Sequence, residues 1–332
     1  MRILMVGAGA IGGIIGGRLA RAGKDVTFAD VDPKQVQAIR EAGLYVDVPD
    51  GGFRSSPAAF LPEELPGRFD LVFIAVRVFD MASALAVAEP RLNDGAILVS
   101  LQNGLTLPRL EKLVGPEHAI GAMIRMRSRR IAPGKVRTAQ RGHLYVGHLH
   151  GRTTRQLESV HALLNEVIPT EMIDNIFGGL WSKLTYTCLG MFASLTDASL
   201  KAVLQGETSG RLCVEFLAEI VSVGMALGAR FVPLEEYDPR DFDPRHAYEA
   251  RLAALHAIAR QPKSDDQRGG VERLKHGIRT EIDFTVGYVV EEGKRVGVPT
   301  PICQAVVQLI HELEDGRRPL QTRNYADLAA AA

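Results

Sequence analysis

Residues 1–13 read MRILMVGAGAIGG, an apolar, strand-like run followed at once by Gly7, Gly9 and Gly12. The pattern G-x-G-x-x-G is informative in this context, where a strand ends at the first glycine and a helix begins close behind it. Gly7 allows a tight turn, Gly9 lets a pyrophosphate approach the backbone, and Gly12 lets the helix pack closely on the strand. A tight turn without a ligand is the alternative. The predicted cofactor-binding loop consists of Gly7, Ala8, Gly9, Ala10, Ile11 and Gly12.

Strand-like and helical patterns alternate through the first half of the chain. Short apolar runs, bounded by Gly, Asp or Pro, indicate buried parallel strands over residues 2–6, 25–29, 71–76 and 96–101. Residues 11–22 and 33–42 have helical spacing. The alternation predicts an α/β Rossmann domain with a doubly wound, mostly parallel sheet. Between residues 120 and 146 alternating strands flank a Pro133–Gly134 turn, which predicts an antiparallel extension.

Strand patterns end near Pro169, and residues 171–315 then form successive amphipathic helices. Two domains are also the default for 332 residues. We therefore predict a dinucleotide-binding domain over 1–168, an all-α domain over 169–320, and a fraying low-complexity tail over 321–332.

Composition and charge narrow the range of partners. The formal net charge is +0, which gives no overall electrostatic reason to expect nucleic acid or an anionic membrane. Three separate cysteines form no disulfide framework or metal-binding spacing, so a reducing, cytoplasmic location is expected. A signal peptide is the alternative interpretation of the N-terminus, and a membrane span that of residues 175–196, where a central lysine would cost about 2.5–3.5 kcal/mol.

Asp30 directly follows the second predicted strand, 18 residues beyond Gly12. A carboxylate at this position can accept hydrogen bonds from an adenine ribose and repels a 2′-phosphate, which favours NAD(H) over NADP(H). Asp32 competes for the role, but a helix N-cap before Pro33 is the more probable interpretation. Arg77, after the third strand, could approach cofactor or substrate, or be a surface residue, and it leaves NADP(H) open.

Lys183 is the only charge in the apolar helical segment 175–196. Burial lowers the pKa of a lysine, so this residue could protonate the alkoxide formed when a carbonyl accepts hydride. The alternative is a lysine whose ammonium group extends from a core helix into water. Residues 269–301 are predicted to continue as a helix with an apolar stripe of Leu274, Ile278, Ile282 and Val289. Glu281 borders that stripe and could bind a substrate hydroxyl, hold Lys183, or be a solvated acid.

Five stretches, in order, resemble the ketopantoate reductase family: GAGAIG, LQNGL, LWSKL, EIVSVGMALGARF and HGIRTEIDFTVGYVVEEGKRVGVPTP. The resemblance covers nearly the whole chain. It implies a Rossmann domain followed by an all-helical domain similar to that of 6-phosphogluconate dehydrogenase, with the active site in the cleft between them. It further implies that Lys183 is the general acid, that Glu281 binds the substrate hydroxyl, and that Asn103 lies beside nicotinamide and substrate.

Two departures from the family pattern concern the substrate. Thr187 and Met191 stand where family members that act on ketopantoate carry asparagines, and Gly269 or Gly270 stands where a serine hydroxyl is expected. Losing hydrogen bonds to a polar substrate changes discrimination strongly, so ketopantoate is not the expected best substrate. Asp30 is similar to the acid of related NAD-dependent D-2-hydroxyacid dehydrogenases.

The leading hypothesis is a nicotinamide-dependent oxidoreductase acting on a small 2-oxo or 2-hydroxy acid, in a chain that could form a homodimer. The alternative is a non-catalytic dinucleotide-binding sensor or assembly protein, and a weaker third is an opine-type reductive condensation. Residues 125–141 contain no Asp or Glu and are predicted to form a solvent-exposed face. Arg125 or Arg127 could reach a substrate carboxylate from it. His143, His148, His150 and His276 have no convincing metal-ligand spacing, and no metal is predicted.

Overall fold

The structure, a computed structural model, describes residues 1–49, 51–102, 105–234, 237–261 and 269–331. The chain divides into two units, Met1–Phe177 and Gly178–Ala332.

The first unit is built on a mostly parallel sheet. Its strands, in the order β12-β11-β8-β7-β6-β1-β2-β5, are parallel to their neighbours except at the β8–β11 pair. Their bounds are β1 Arg2–Val6, β2 Asp25–Ala29, β5 Ala58–Phe60, β6 Phe69–Ile74, β7 Leu92–Ser100, β8 Ala119–Arg125, β11 His143–Gly147 and β12 Thr170–Met172. The predicted doubly wound sheet with an antiparallel extension is confirmed. Strand β12 follows Pro169, so the sheet continues past the predicted domain boundary.

Helices follow several of these strands, with apolar residues three and four positions apart on the face that packs on the sheet. They are α1 Ala10–Arg21, α2 Pro33–Ala42, α3 Met81–Ala88, α4 Leu107–Val114 and α5 Arg155–Asn165. Ile14, Ile15 and Leu19 on α1 are fully buried in the same core as Phe28 and Phe73 of the sheet.

A second sheet, β4-β3-β10-β9, was not predicted. It comprises β3 Leu44–Asp47, β4 Phe53–Ser55, β9 Ser128–Ala132 and β10 Lys135–Thr138. The Pro133–Gly134 turn joins β9 to β10 as expected, but β10 then pairs in parallel with β3. Val136 of β10 is buried in the core that also holds α1.

The second unit is helical in its described part. α6 spans Ile176–Ala193 and carries the chain into this unit, in which the following helices are α7 Leu200–Gln205, α8 Glu207–Ala226, α9 Tyr248–Ala259, α10 Gly269–Lys275, α11 Val286–Val296, α12 Pro301–Glu314 and α13 Asn324–Ala331. Trp181, Phe192 and Phe216 are fully buried, and the rings of the two phenylalanines lie 5.0 Å apart.

Two expectations about this unit are wrong. Residues 269–301 do not form one helix, because α10 ends at Lys275, a break follows, and a 3₁₀ turn over Ile282–Phe284 precedes α11. Gly277 has φ of +65°, which ends the helical path, and Ile278 of the predicted apolar stripe is 47% exposed. Within the described residues, the tail predicted to fray forms α13, and its buried Asn324 donates from the side-chain nitrogen to the Leu195 carbonyl at 2.7 Å.

Candidate active site

The predicted phosphate-binding loop connects β1 to α1. Gly7 has φ of +101°, a conformation that residues with a Cβ rarely adopt. A Cβ on Gly12 would lie 2.1 Å from the Gly7 carbonyl oxygen, so the helix can begin this close to the strand only with glycine there. A Cβ on Gly9 would meet none of the described atoms outside its own turn within 4 Å. Gly9 is the N-cap of α1, so this open space lies at a helix N-terminus, where backbone N–H groups attract phosphate.

Asp30 lies directly after β2 and faces this loop. Its Oδ2 accepts a hydrogen bond from the Ala8 backbone nitrogen at 2.7 Å, and its Oδ1 accepts one from the Asp32 nitrogen at 2.9 Å. Each carboxylate oxygen has a further lone pair, so the group can still accept bonds from ribose hydroxyls.

A cavity of about 190 Å³ lies next to Asp30. Its lining combines glycine-loop backbone, apolar side chains and two carboxylates: Val6, Gly7, Ala29, Asp30, Val31, Pro62, Val76, Asp80, Ser83, Ala84 and Val87. The open helix N-terminus, the carboxylate and the adjoining apolar cavity together fit the pyrophosphate, ribose and adenine of a dinucleotide.

Asp32 is the N-cap of α2, as predicted. Its Oδ1 accepts from the Lys34 nitrogen at 3.0 Å, Pro33 occupies the first helical position, and its Oδ2 pairs with Arg130 at 2.9 Å. Both carboxylate oxygens are therefore engaged in structural contacts.

Arg77 lies at the start of the 3₁₀ turn after β6. Its guanidinium lies over the Phe79 ring, 4.1 Å from the centroid, and its Nε is 3.6 Å from Asp80 Oδ2. The charge of this arginine is thus directed towards Asp80, which lines the cavity. Asn103 lies outside the described residues. Its neighbour Gln102, which the sequence did not single out, is buried and donates from Nε2 to the Val76 and Arg77 carbonyls, both at 3.1 Å. This side chain ties the ends of β6 and β7 together.

Lys183 lies in α6, between fully buried Ser182 and nearly fully buried Leu184. Burial lowers its pKa from 10.5 to about 8, because desolvation disfavours the charged ammonium. Ser182 accepts the Val232 backbone N–H at 3.0 Å through its hydroxyl, which fixes this turn of α6 against the segment after α8. The lysine is thereby placed on a rigid element with a proton that can be exchanged near neutral pH.

The residues that depart from the family pattern follow Lys183 along α6. Thr187 donates its hydroxyl proton to the Lys183 carbonyl at 3.0 Å, which leaves its oxygen as an acceptor. A Cβ on Gly270, in α10, would lie 2.4 Å from Ser194 Oγ and 3.4 Å from Met191 Cε. Gly270 therefore permits the close approach of α10 to the end of α6, and a serine there would require the Ser194 side chain or one of the two helices to shift. Gly269, its neighbour, begins α10.

Glu281 lies at the end of the break between α10 and the following 3₁₀ turn, and it is partly buried. Arg273 donates to the Arg279 carbonyl from Nε at 2.9 Å, and Thr280 donates from its backbone nitrogen to Glu314 at 2.6 Å. These two hydrogen bonds hold the segment that precedes Glu281 in the sequence. Within the described residues, the Glu281 carboxylate has no hydrogen bond or ion pair.

Other groups named from the sequence take no part in such an arrangement. Arg125 and Arg127 are exposed at the end of β8, and the described residues contain no group of His, Cys, Asp and Glu side chains that could hold a metal. His148 is buried between the Ala119 carbonyl and the Thr154 hydroxyl, at 2.8 Å from each. No described helix is long and apolar enough to cross a bilayer. Cys188, Cys213 and Cys303 are buried thiols without a disulfide bond.

Comparisons with known proteins agree with this architecture. The family profile described as "Ketopantoate reductase PanE/ApbA" matches residues 3–151, and that of its C-terminal domain matches residues 175–314. A 2-dehydropantoate 2-reductase of Pyrococcus abyssi is 26% identical over 91% of this chain and 94% of its own. The crystal structure of a PanE/ApbA family ketopantoate reductase from Ralstonia eutropha superposes with a TM-score of 0.79 at 27% identity, covering 96% of this chain and 99% of that one. D-mandelate dehydrogenase, solved with NADH and anilino(oxo)acetate, shares the fold with a TM-score of 0.77 at 20% identity, over 95% and 99% of the two chains.

The fold and the comparisons define an oxidoreductase that acts on CH–OH groups with a nicotinamide cofactor. The chain belongs to the ketopantoate reductase family.

Proposed function

We propose that this protein interconverts a small 2-oxo acid and its 2-hydroxy acid, with NAD(H) preferred and a substrate other than ketopantoate. The observation that carries the proposal is Lys183. Its pKa of about 8 allows it to donate or accept a proton near neutral pH from a fixed position on α6.

A bound nicotinamide supplies or accepts the hydride. Lys183 donates a proton from Nζ to the carbonyl oxygen of the substrate as negative charge develops on that oxygen. In the oxidative direction the neutral amine takes the same proton from the substrate hydroxyl. A proton donor held close to the reacting oxygen contributes about 10²–10⁴-fold to such reactions.

Glu281 and Asn103 are assigned to substrate orientation. Glu281 has a carboxylate without internal partners in the described structure, and it follows a segment held by Arg273 and Thr280. It can accept a hydrogen bond from a substrate hydroxyl. The assignment of Asn103, next to nicotinamide and substrate, rests on the resemblance of the LQNGL stretch to the family.

The preference for NAD(H) rests on Asp30, whose carboxylate is held at the glycine loop by the Ala8 and Asp32 backbone nitrogens. A 2′-phosphate placed there would meet this negative charge, with Asp80 on the same cavity. Ribose hydroxyls, by contrast, can donate to it. Arg77 follows Val76 of the cavity lining, and its guanidinium contacts Asp80 and Phe79.

The substrate proposal rests on Thr187, Met191 and Gly270. Met191 offers a thioether instead of an amide, and Gly270 provides no hydroxyl, so this part of the helical unit makes fewer hydrogen bonds to a polar substrate. A 2-oxo acid with a less polar side chain than ketopantoate fits these residues better.

Three buried thiols without disulfide bonds support a cytoplasmic location. Assembly as a homodimer is part of the same proposal.

The test is to mix purified protein with NADH, or separately with NADPH, and to follow cofactor absorbance with ketopantoate and a panel of aliphatic and aromatic 2-oxo acids. Lys183→Ala is expected to lower kcat at least about a hundredfold while the dissociation constant of NADH is unchanged. The matched control is Lys201→Ala, an exposed lysine on α7.

The outcomes separate the hypotheses. Turnover of other 2-oxo acids with NADH supports the proposal, whereas rapid turnover of ketopantoate would make the departures on α6 and α10 tolerated substitutions. Cofactor binding without turnover of any acid would favour a non-catalytic dinucleotide-binding protein. Full activity in Lys183→Ala would remove the lysine from the mechanism.

A further inference from the structure

Gln35 is a fully buried polar side chain on α2, a helix that no step of the proposed reaction uses. Its Nε2 donates to the Ala8 carbonyl oxygen at 2.6 Å, and its Oε1 accepts from the Gly134 backbone nitrogen at 2.8 Å. A carbonyl needs a donor and an N–H needs an acceptor, so these two partners determine the orientation of the amide.

The Ala8 end of this contact lies in the glycine-rich loop. The Ala8 nitrogen donates to Asp30 Oδ2 at 2.7 Å, and its carbonyl accepts from Gln35, so the peptide groups on both sides of Ala8 are held. Gly9, the next residue, is the N-cap of α1 and faces open space. The directions of the first free N–H groups of α1 therefore depend on how Ala8 is held.

The Gly134 end belongs to the turn between β9 and β10. The Gly134 carbonyl accepts from the Tyr45 nitrogen of β3 at 2.9 Å, which fixes the turn in the second sheet. The same sheet contacts α1 directly, since a Cβ on Gly13 would lie 2.8 Å from a methyl carbon of Val136 in β10. Gln35 thus connects the second sheet to the glycine loop at the Ala8 carbonyl, while Asp30 holds the Ala8 nitrogen.

We propose that Gln35 is a positioning residue for the diphosphate of the cofactor: by bridging Ala8 and Gly134 it holds the glycine loop in its phosphate-binding conformation. The inference rests on the proposed function only in that a dinucleotide is the ligand. In this proposal the second sheet supports the cofactor site through Gln35.

The experiment measures binding and does not depend on turnover. Dissociation constants for NADH, ADP and adenosine are determined by calorimetry for the wild-type chain and for Gln35→Met, which removes both hydrogen bonds at similar volume. Gln35→Glu keeps an acceptor for Gly134 and, at a pH at which the carboxyl group is ionised, removes the donor to Ala8. The matched control is Gln37→Met on the same helix, whose exposed side chain donates to Glu41 Oε1 at 2.8 Å.

Both Gln35 variants are expected to bind NADH and ADP about tenfold more weakly, since one or two hydrogen bonds that orient the loop are lost. Adenosine, which has no phosphate, should bind as it does to the wild type, and so should all three ligands to Gln37→Met. Circular dichroism and thermal midpoints establish that the variants are folded.

An unchanged ADP affinity in folded Gln35→Met would overturn the proposal, as would an equal loss for adenosine, which would indicate a general effect on the domain. Loss of folding in both Gln35 variants would also overturn it, because Gln35 would then support the whole domain. If the wild type binds ADP and NADH but turns over no 2-oxo acid, the proposed function fails while the binding comparison still decides the role of Gln35. A wild type that binds neither ligand contradicts both.

Discussion

Thr280 makes two hydrogen bonds to one carboxylate oxygen of Glu314: its backbone nitrogen lies 2.6 Å and its Oγ1 2.7 Å from Oε1. Glu314 is the last residue of α12, and Thr280 directly precedes Glu281. The backbone that carries Glu281 is therefore tied to a long helix although it belongs to no helix itself. Charge-assisted hydrogen bonds of this kind are stronger than neutral ones, so the tie restricts the segment substantially.

Thr280→Val is expected to raise KM for the 2-oxo acid about three- to tenfold, because the lost Oγ1 contact loosens the position of Glu281. The dissociation constant of NADH should not change. Steady-state kinetics and cofactor titration test this, with the exposed Thr322→Val as control. Wild-type KM in Thr280→Val would show that the backbone contact alone holds the segment.

Lys183 is expected to reduce stability as well as to serve catalysis. Its pKa in the folded chain, about 8, is below the ordinary 10.5, so the unfolded chain binds the proton more readily between these two pH values. The destabilisation is fully present below pH 8 and disappears as pH rises towards 10.5. Lys183→Met should therefore raise the free energy of unfolding at neutral pH by about 1–3 kcal/mol while abolishing turnover. Denaturant unfolding at neutral and at alkaline pH measures the difference, and a stabilisation that persists at alkaline pH would contradict this account.

The same group should set the pH dependence of the reaction. Reduction needs the protonated ammonium, so kcat for the 2-oxo acid should fall as pH rises through about 8. Oxidation of the 2-hydroxy acid needs the neutral amine, and its kcat should rise across the same range. The two profiles are measured at saturating cofactor in one buffer series. Parallel profiles in the two directions would assign the titration to another group.

Those parts of the fold that follow from local patterns were predictable. The glycine spacing, the strands β1 and β2, the helix α2 and the Asp32 cap depend on residues within a few positions of one another, and all are confirmed. The second sheet was missed because its parallel pair joins Tyr45 to Lys135 across ninety residues, and β3 and β4 are too short to give a strand pattern.

Residues whose roles arise only from tertiary contacts could not be found in the same way. The apolar stripe continued through Ile278 and indicated a continuous helix, but the break at Gly277 exposes that side chain. Gln35 and Glu314 read as ordinary helix residues, because their partners lie far away in sequence. Lys183 could be singled out as a candidate because a single charge in an apolar helix is unusual at the level of sequence alone.

Asp30 should determine the choice between NADH and NADPH. Asp30→Asn removes the negative charge while keeping the shape, and it should lower the ratio of NADPH to NADH dissociation constants at least about tenfold. Affinity for NADH should itself fall, since the amide cannot accept from both the Ala8 and the Asp32 nitrogens. Asp25→Asn, at the exposed start of the same strand, is the control. An unaltered cofactor ratio would show that Asp30 only holds the loop.

The substrate proposal can also be tested by a gain of function. Replacing Thr187 and Met191 with asparagine introduces the amides that the family pattern contains. The double variant Thr187→Asn/Met191→Asn is expected to raise kcat/KM for ketopantoate at least about tenfold, because a site that can hydrogen-bond a polar group discriminates strongly in its favour. Gly270 stays unchanged, since a Cβ there would lie 2.4 Å from Ser194 Oγ. Turnover of less polar 2-oxo acids should fall in parallel, as the thioether that is proposed to contact them is lost. Competition assays with ketopantoate and the best acid of the panel measure both changes at once. If the double variant gains no ketopantoate activity yet keeps that of the wild type on other acids, these two positions do not line the substrate site, and the basis of selectivity lies elsewhere in the helical unit.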